Sequence, residues 1–322
     1  RPPRADFHHG QVGTMNSARL HFILRNNSIM KNLIFTVWAA MALPTAYAER
    51  VTAPEGKTYV YKETNGVSRE LEIYFPKAKQ GPKKPVPGII MFHGGGWGGG
   101  TRDQFRYLCH YFSTRGLVAA TVTYKLAPKA RTEEAKSTES RKRVCITDAK
   151  SAIRWYKQNA DELGIDPKRI IAGGGSAGGH ISLLATTTPG LNDPNDPKGY
   201  DTSVAAYLLF NPALSAGDAK DPAVDFLQQL KADFPPSIAF FGSEDNWMKK
   251  GWGLAHEKMK SLGVKSADFR IAEGMGHGFF NRQPWADVTL IAADKFLKEL
   301  GFIEGEPTLA APKTGEKLAK RP

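Results

Sequence analysis

Two kinds of apolar spacing divide the chain after about residue 58. Residues 59–62 and 71–75 alternate between apolar and polar side chains and flank Asn65-Gly66, a dipeptide typical of tight hairpin turns. Beyond Pro85 the apolar runs become continuous, at residues 89–92, 117–124, 169–173, 205–210, 238–241 and 269–272. Continuous runs indicate strands that are buried on both faces, as in a parallel sheet. The pattern predicts an antiparallel N-terminal hairpin joined to a mostly parallel sheet.

Helical periodicity separates the apolar runs. It extends over residues 103–115, 144–162, 177–187, 222–231, 248–261 and 285–299. Because strands and helices alternate, we expect an α/β fold with a doubly wound, mostly parallel sheet of eight strands and helices on both faces. Asp148 follows Thr147 near the start of the second predicted helix. We interpret it as a capping or dipole-stabilising residue without a catalytic role.

The two ends of the chain differ from the predicted catalytic domain, which we place at residues 49–303. Residues 30–48 combine Lys31, an apolar run and the sequence Ala-Tyr-Ala, which is the layout of a cleavable signal peptide. The apolar run is shorter than the roughly 20 residues that a membrane span needs, so we expect export to the periplasm or the extracellular space without stable membrane insertion. Residues 1–29 are interpreted as a non-native upstream segment. Residues 304–322, rich in Pro, Lys, Gly and Glu, predict a disordered tail.

Charge and cysteine content limit the partners and the chemistry. The formal net charge is +12, but lysine and arginine are spread along the chain. This distribution favours a solvated basic surface over a nucleic-acid partner. Cys109 and Cys145 are the only cysteines. Export would permit a disulfide between them, and the alternative is a pair of buried free thiols.

Two segments have no clear periodicity. They are the charged residues 129–143 and the Pro, Asp and Gly-rich residues 189–201. Either segment could cover a substrate cleft or be a plain surface excursion. The sequence leaves both alternatives open.

A strand-to-helix junction carries the strongest chemical signal. Residues 174–178 read Gly-Gly-Ser-Ala-Gly and lie between an apolar strand and a predicted helix. The Gly-x-Ser-x-Gly pattern is typical of a nucleophile elbow, in which a strained turn projects the serine outward. A phosphate-binding glycine loop is the alternative, but no lysine follows as in a P-loop. We therefore expect Ser176 to be the nucleophile.

A glycine run follows another buried strand. Residues 93–97 read His-Gly-Gly-Gly-Trp, and glycines leave backbone N–H groups free of side-chain obstruction. The N–H groups of Gly94, Gly95 and Ala177 are expected to form an oxyanion hole. One such donor is typically worth about 3 kcal/mol of transition-state stabilisation. His93 is interpreted as structural.

An acid and a histidine come after the last two predicted strands. Asp245 ends the sequence Phe-Phe-Gly-Ser-Glu-Asp, and His277 lies in a glycine-flanked loop. The chain order Ser, Asp, His is the order found in parallel-sheet hydrolases that have a nucleophile elbow. His277 would act as the general base and Asp245 would orient it, with Glu244 as the rival acid.

These motifs resemble the hormone-sensitive-lipase-like esterases and the related acetyl-xylan and feruloyl esterases over about residues 58–300. The resemblance rests on residues 93–96, 124–128 and 174–179 together with Asp245 and His277. It implies an α/β-hydrolase fold and hydrolysis of short-acyl carboxylic esters through an acyl-enzyme, with no cofactor and no metal. Two features depart from the lipase-like pattern: Gly175 stands where many members have an acid, and few residues are left for an N-terminal helical cap. They favour the polysaccharide-deacylating relatives and an open cleft.

We therefore expect a secreted serine carboxylesterase. Its substrate would be a small-molecule or polysaccharide-linked ester, with acetyl and feruloyl groups among the candidates. A serine peptidase of the same fold and a non-catalytic carbohydrate-binding protein are the alternatives. Release of p-nitroanilide from peptides would favour the first, and glycan affinity without reaction of Ser176 with a fluorophosphonate would favour the second.

Overall fold

The structure is a computed structural model that describes residues 51–77, 84–127 and 138–321. The expected upstream segment, residues 1–29, and the expected signal peptide, residues 30–48, lie outside the described residues. The same holds for residues 128–137, most of the first segment without periodicity. Across the described ranges, no helix combines the length and the apolar character that a membrane crossing requires.

One mixed sheet of nine strands organises the described part of the chain. The strands are β1 (Lys57–Thr64), β2 (Val67–Tyr74), β3 (Val86–Phe92), β4 (Val118–Val122), β5 (Ile165–Gly175), β6 (Ala206–Phe210), β7 (Ser237–Gly242), β8 (Ala267–Ala272) and β9 (Leu318–Arg321). Their order is β1-β2-β4-β3-β5-β6-β7-β8-β9. Strands β3 to β8 are parallel, and β1, β2 and β9 pair antiparallel with their neighbours. The predicted α/β sheet with an antiparallel N-terminal hairpin is confirmed.

The ninth strand corrects two expectations, the sheet of eight strands and the disordered tail from residue 304. β9 pairs with β8 so that Ala319 lies opposite Ile271 and Leu318 lies opposite Ala272. Leu318 also packs against an apolar cluster of the core. A polar segment can be ordered in this way because an edge strand offers unpaired backbone N–H and C=O groups.

Seven α-helices in the described ranges cover the two faces of the sheet. They are α1 (Arg106–Thr114), α2 (Thr138–Gln158), α3 (Ala160–Leu163), α4 (Ala177–Thr187), α5 (Phe226–Gln229), α6 (Gly253–Ser261) and α7 (Trp285–Glu299). Buried side chains of α1 and α7 form one apolar cluster with one face of the sheet. Those of α2, α4 and α6 form a second cluster on the other face. The fold is therefore a three-layer sandwich.

Strand β3 shows why the central strands read as continuous apolar runs. Ile89 and Met91 belong to the cluster with α1 and α7, whereas Ile90 and Phe92 belong to the cluster with α2 and α4. All four side chains are fully buried. Successive side chains point to opposite faces, so a strand covered on both faces needs an apolar residue at every position.

Of the two alternatives for Cys109 and Cys145, the structure shows the pair of buried free thiols and not the disulfide. Both thiols are free and buried. Cys109 lies on α1 in the cluster on one face of the sheet, and Cys145 lies on α2 in the cluster on the other face. Because the sheet separates them, the two residues act as small apolar core residues.

Asp148 is not a helix cap. Helix α2 begins at Thr138, which places Asp148 in the middle of the helix rather than near its start. Its carboxylate accepts hydrogen bonds from the backbone N–H of Lys125 at 2.7 Å, from Lys62 Nζ at 2.7 Å and from Arg69 Nε at 3.3 Å. Asp148 therefore ties α2 to the hairpin and to the segment after β4.

Residues 189–201 are a surface excursion. Arg154 Nη1 on α2 donates to Asp196 at 2.6 Å, and Lys157 of the same helix pairs with Asp201. The segment therefore follows α2 toward the amino-terminal ends of the parallel strands. At the other end of the segment, Asp193 pairs with Lys62 Nζ at 2.7 Å, so the segment lies along α2 and the end of β1.

Candidate active site

Ser176 occupies a strained turn between β5 and α4. Its backbone has φ 52° and ψ −119°, a conformation that non-glycine residues rarely adopt. A Cβ atom at Gly178 would lie 1.9 Å from the carbonyl oxygen of Phe92, and one at Gly174 would lie 2.4 Å from the same atom. Glycine is therefore required on both sides of the serine. The turn presents Ser176 at the carboxyl edge of the sheet.

The structure brings Ser176, His277 and Asp245 together. His277 follows β8, and its Nε2 lies 2.8 Å from Ser176 Oγ. The other ring nitrogen, Nδ1, lies 2.8 Å from Asp245 Oδ2. The His277 side chain is 37% exposed and that of Asp245 is fully buried. A buried acid that fixes an accessible imidazole beside a serine hydroxyl is the geometry of a nucleophilic triad.

Asp245 rather than Glu244 contacts the histidine. The second carboxylate oxygen of Asp245, Oδ1, accepts the backbone N–H of Trp247 at 2.9 Å, which holds the carboxylate in place. Glu244 is exposed, and its backbone N–H donates to Met275 O at 3.0 Å. The structure thus places Asp245, the acid expected from the sequence, and not its rival Glu244 beside the histidine.

The oxyanion prediction needs one correction. The Gly94 N–H donates to Gln104 Oε1 at 2.6 Å, so it is not available to a substrate oxygen. Within the described residues the N–H groups of Gly95 and Ala177 have no acceptor, and neither does that of Gly96. A Cβ atom at Gly95, whose φ is 122°, would lie 2.2 Å from Gly99 O. The available donors are therefore those of Gly95, Gly96 and Ala177.

Three amide side chains at the site were missed in the sequence. Asn211 is buried with φ 40°, and its Oδ1 accepts the Gly278 N–H at 3.1 Å while its Nδ2 lies 3.4 Å from His277 Nε2. Gln104 and Asn281 hydrogen-bond to each other at 3.0 Å. The position of Asn211 directly after β6, at the edge that carries the site, was the one available signal.

A buried polar group, which we call the charged cluster, lies under the glycine run. It consists of Trp97, Lys142, His180 and Asp218. Lys142 Nζ pairs with Asp218 and lies 4.5 Å from the centre of the Trp97 ring, and Trp97 Nε1 donates to His180 Nδ1 at 3.4 Å. His180 Nε2 lies 3.0 Å from the carbonyl oxygen of Val224. The cluster fixes the Trp97 side chain against α4.

Burial sets the protonation of the charged cluster. Burial, together with the positive charge of Lys142, lowers the pKa of His180 to about 3. Burial also raises the pKa of Asp218, although its hydrogen bond with Lys142 opposes that shift. His180 is therefore neutral near pH 7. With its Nδ1 accepting from Trp97, the proton sits on Nε2.

His93 is structural, as its sequence context indicated. Its ring is buried and stacks on Tyr124 with centroids 4.3 Å apart, and Nδ1 lies 2.7 Å from Gly94 O. In the described ranges no group of three or more His, Cys, Asp or Glu side chains is arranged to hold a metal ion. A cavity of about 890 Å³ lies at the amino-terminal ends of the parallel strands, with Lys57 and Arg169 in its lining, and is separate from Ser176.

Comparison with known proteins identifies similar families. The family model described as BD-FAE matches residues 71–209. The chain is 28% identical to Esterase LipC of Mycobacterium tuberculosis over 235 residues, which is 63% of this chain and 55% of LipC. It is 31% identical to arylacetamide deacetylase of Bos taurus over 169 residues, 51% of this chain and 38% of that protein. The chain thus spans about half of the length of these curated relatives, or less.

A solved structure matches over nearly its whole length. It is a thermophilic esterase, Est2, of the Planctomycetes species Thermogutta terrifontis, in its propionate-bound form. Sequence identity is 33%, the TM-score is 0.69, and the match covers 79% of this chain and 97% of that one. The butyrate-bound form of Est2 gives the same four values.

Proposed function

The chain belongs to the hormone-sensitive-lipase-like serine esterases of the α/β-hydrolase fold, and we propose that it is a carboxylic ester hydrolase that works through Ser176, His277 and Asp245. One observation carries the proposal. An uninterrupted path of two 2.8 Å contacts leads from the Asp245 carboxylate through the imidazole of His277 to the Ser176 hydroxyl. This path can withdraw the serine proton at the moment the oxygen attacks.

In the acylation step, Ser176 Oγ attacks the ester carbonyl carbon and its proton passes to His277 Nε2. The carbonyl oxygen becomes an oxyanion that accepts hydrogen bonds from the free N–H groups of the glycine run and of Ala177. The imidazolium is stabilised by Asp245. It then gives its proton to the alkoxide leaving group, and the C–O bond of the ester breaks to leave an acyl-serine.

Water completes the cycle. His277 removes a proton from water, the hydroxide attacks the acyl-serine, and a second oxyanion forms in the same hole. Collapse returns the serine hydroxyl and releases the carboxylic acid. The 37% exposed imidazole of His277 is compatible with direct entry of that water from solvent.

We infer a short acyl group as the part of the substrate that this site accepts. Est2 has been solved with propionate and with butyrate bound, and both are short acids. The open position of His277 also leaves room for a bulky alcohol moiety, which is compatible with acetyl or feruloyl esters on a polysaccharide. The signal-peptide pattern of residues 30–48 supports action outside the cytoplasm.

The direct test is Ser176→Ala. It should lower kcat for p-nitrophenyl acetate by at least about 10⁴-fold, because the nucleophile is lost while binding remains. A matched control is Ser261→Ala at the carboxyl end of α6, which should retain wild-type kcat. Equal kcat values for wild type and Ser176→Ala would contradict the assignment of Ser176 as the nucleophile.

A substrate panel refines the proposal. Acetyl, butyryl, octanoyl and feruloyl esters would be compared with acetylated xylan by kcat/KM. The proposal expects the highest values for acetyl and butyryl esters. A clear preference for octanoyl esters would contradict the short-acyl inference, and peptide p-nitroanilide turnover without ester turnover would favour a peptidase.

A further inference from the structure

We propose that Gln104 and Asn281 are positioning residues that hold the oxyanion glycines and the histidine loop in one fixed relation. The proposal rests on the esterase function inferred above. It adds two residues that neither touch the reacting atoms nor belong to the triad. We call the connection they form the amide relay.

The amide relay spans two loops that are far apart along the chain. Gln104 precedes α1 and accepts the Gly94 N–H at 2.6 Å through Oε1. Its Nε2 donates to Asn281 Oδ1 at 3.0 Å, across a separation of 177 residues. Asn281 Nδ2 then donates to Gly278 O at 2.8 Å, one residue after His277. The relay therefore connects the residue before the oxyanion donors to the residue after the base.

The direction of every hydrogen bond in the relay is fixed by its two ends. A backbone N–H at Gly94 requires an acceptor, and a backbone carbonyl at Gly278 requires a donor. Gln104 must therefore place Oε1 toward Gly94, which leaves Nε2 for Asn281. Asn281 in turn must place Nδ2 toward Gly278. No apolar side chain and no carboxylate can satisfy both ends in this way.

The space beside the nucleophile turn is filled by Gln104 and two phenylalanine rings. A Cβ atom at Gly175 would lie 2.8 Å from Phe280 Cζ and 3.3 Å from Phe105 Cζ. The next atom is Gln104 Nε2, at 3.4 Å. A side chain at position 175 would require the Phe280 ring to shift, so Gly175 leaves this space to Gln104 and the two rings.

A fixed relation between the two loops matters for the reaction. The base must stay within hydrogen-bond reach of Ser176 while the oxyanion donors stay aimed at the nascent oxyanion, and small displacements reduce both effects. Asn211 strengthens the same end of the relay, because its Oδ1 accepts the Gly278 N–H at 3.1 Å. The relay acts on transition-state stabilisation rather than on substrate binding.

The test uses Gln104→Met in the full chain. We expect kcat for p-nitrophenyl acetate to fall about tenfold with KM unchanged, which is the loss expected for one misaligned hydrogen bond. The inhibition constant of a trifluoromethyl ketone, which forms a hemiketal oxyanion with the serine, should rise by a similar factor. A residue that served only the stability of the fold would lower the melting temperature without this matched change.

The second end of the relay supplies an independent variant and a coupling test. Asn281→Leu should give the same kcat and inhibition pattern, and it carries the test if Gln104→Met does not fold. The double variant should lose little more than either single variant, because both remove the same connection. Gln229→Met is the matched control, since Gln229 is also half-buried and donates to a backbone carbonyl, that of Pro222 at 2.9 Å.

Two results would overturn the proposal that the amide relay positions the catalytic groups. One is wild-type kcat and ketone inhibition in folded Gln104→Met or Asn281→Leu. The other is a double variant whose loss equals the product of the two single losses. Failure of the relay is separable from failure of the esterase function, because Ser176→Ala tests the function in the same assay.

Discussion

The glycine run at residues 93–97 is supported on its two sides by groups of different chemistry. The charged cluster under Trp97 contains an ion pair, with side-chain exposures of 3% for Lys142 and 4% for Asp218. The amide relay at Gly94 contains only neutral groups, and Gln104 and Asn281 are half-buried. One side is a fully buried ionic anchor and the other is a set of uncharged hydrogen bonds beside the reacting atoms.

The difference shows that the glycine run is held by an ion pair on its fully buried side and by neutral groups on the side next to the nucleophile. An ion pair in the interior gains little net stability when intact, but it is costly to break, so it fixes one arrangement of the groups around it. Next to the nucleophile a formal charge would act on the nascent oxyanion and on the imidazolium through Coulomb forces. Neutral amides hold the same loop without that effect. Loss of the charged cluster should therefore appear mainly in stability and loss of the relay mainly in kcat.

The largest effect is expected for Lys142→Met. It leaves the Asp218 carboxylate buried without its partner, which should lower the free energy of unfolding by about 3 to 5 kcal/mol. Urea unfolding at pH 7 measures this. Gln104→Met should lower the same quantity by only about 1 to 2 kcal/mol, because the Gly94 N–H that it leaves without an acceptor is uncharged.

Adding Asp218→Asn to Lys142→Met gives the corresponding control. The amide at position 218 has no charge to leave unpaired and can still accept the Ser215 N–H, so part of the lost stability should return. If Lys142→Met lowers the free energy of unfolding by less than about 1 kcal/mol, the charged cluster does not contribute more to stability than the amide relay does.

An intermediate effect is expected from acid. Burial lowers the pKa of His180 to about 3, below its value of about 6.5 in an unfolded chain. The unfolded state therefore takes up a proton first as the pH falls, so stability is complete above about pH 6.5 and is lost toward pH 3. Between pH 7 and pH 4.5 this residue should account for about 2 to 3 kcal/mol.

His180→Asn isolates that contribution. Asparagine keeps a donor and an acceptor but does not titrate, so the difference in unfolding free energy between pH 7 and pH 4.5 should shrink relative to wild type. If wild type and variant lose stability in parallel over this range, His180 is not the acid-sensitive element of the cluster.

The smallest effect is expected for Arg143→Gln. Arg143 adjoins Lys142 in sequence and also pairs with an aspartate, Asp221, with two contacts of 2.6 Å. Its side chain is 45% exposed, however, and ion pairs at such sites are worth at most about 1 kcal/mol. Urea unfolding of Lys142→Met and Arg143→Gln therefore compares the loss of a buried ion pair with the loss of an exposed one. Both pairs join a basic side chain to an aspartate. A loss as large as that of Lys142→Met would show that burial is not what separates them.

The sequence predicted those features that short patterns encode. Asn65-Gly66 indicated the hairpin because its tight turn needs two left-handed residues, and the two residues have φ 52° and 71°. The strands and helices followed from apolar periodicity. The order of the candidate triad followed from the strands after which Ser176, Asp245 and His277 fall, and the structure brings these three side chains into contact.

Features that depend on distant pairing could not be read in the same way. The contact between Gln104 and Asn281 joins residues 177 positions apart, and neither residue lies in a recognisable motif. The glycine run showed that N–H groups would be accessible, but not that Gln104 would occupy the one at Gly94. The separation of Cys109 from Cys145 also depends on which face each helix covers, and apolar periodicity does not assign a face.

Strand β9 has a consequence for self-association. Without it, the backbone of β8 would be an open template on which a strand of another molecule could add. β9 occupies that template and presents a new border on which Lys320 and Arg321 are exposed. Like charges on two such borders repel, so copies of the protein that meet there at high concentration are deterred from stacking edge to edge into larger sheets.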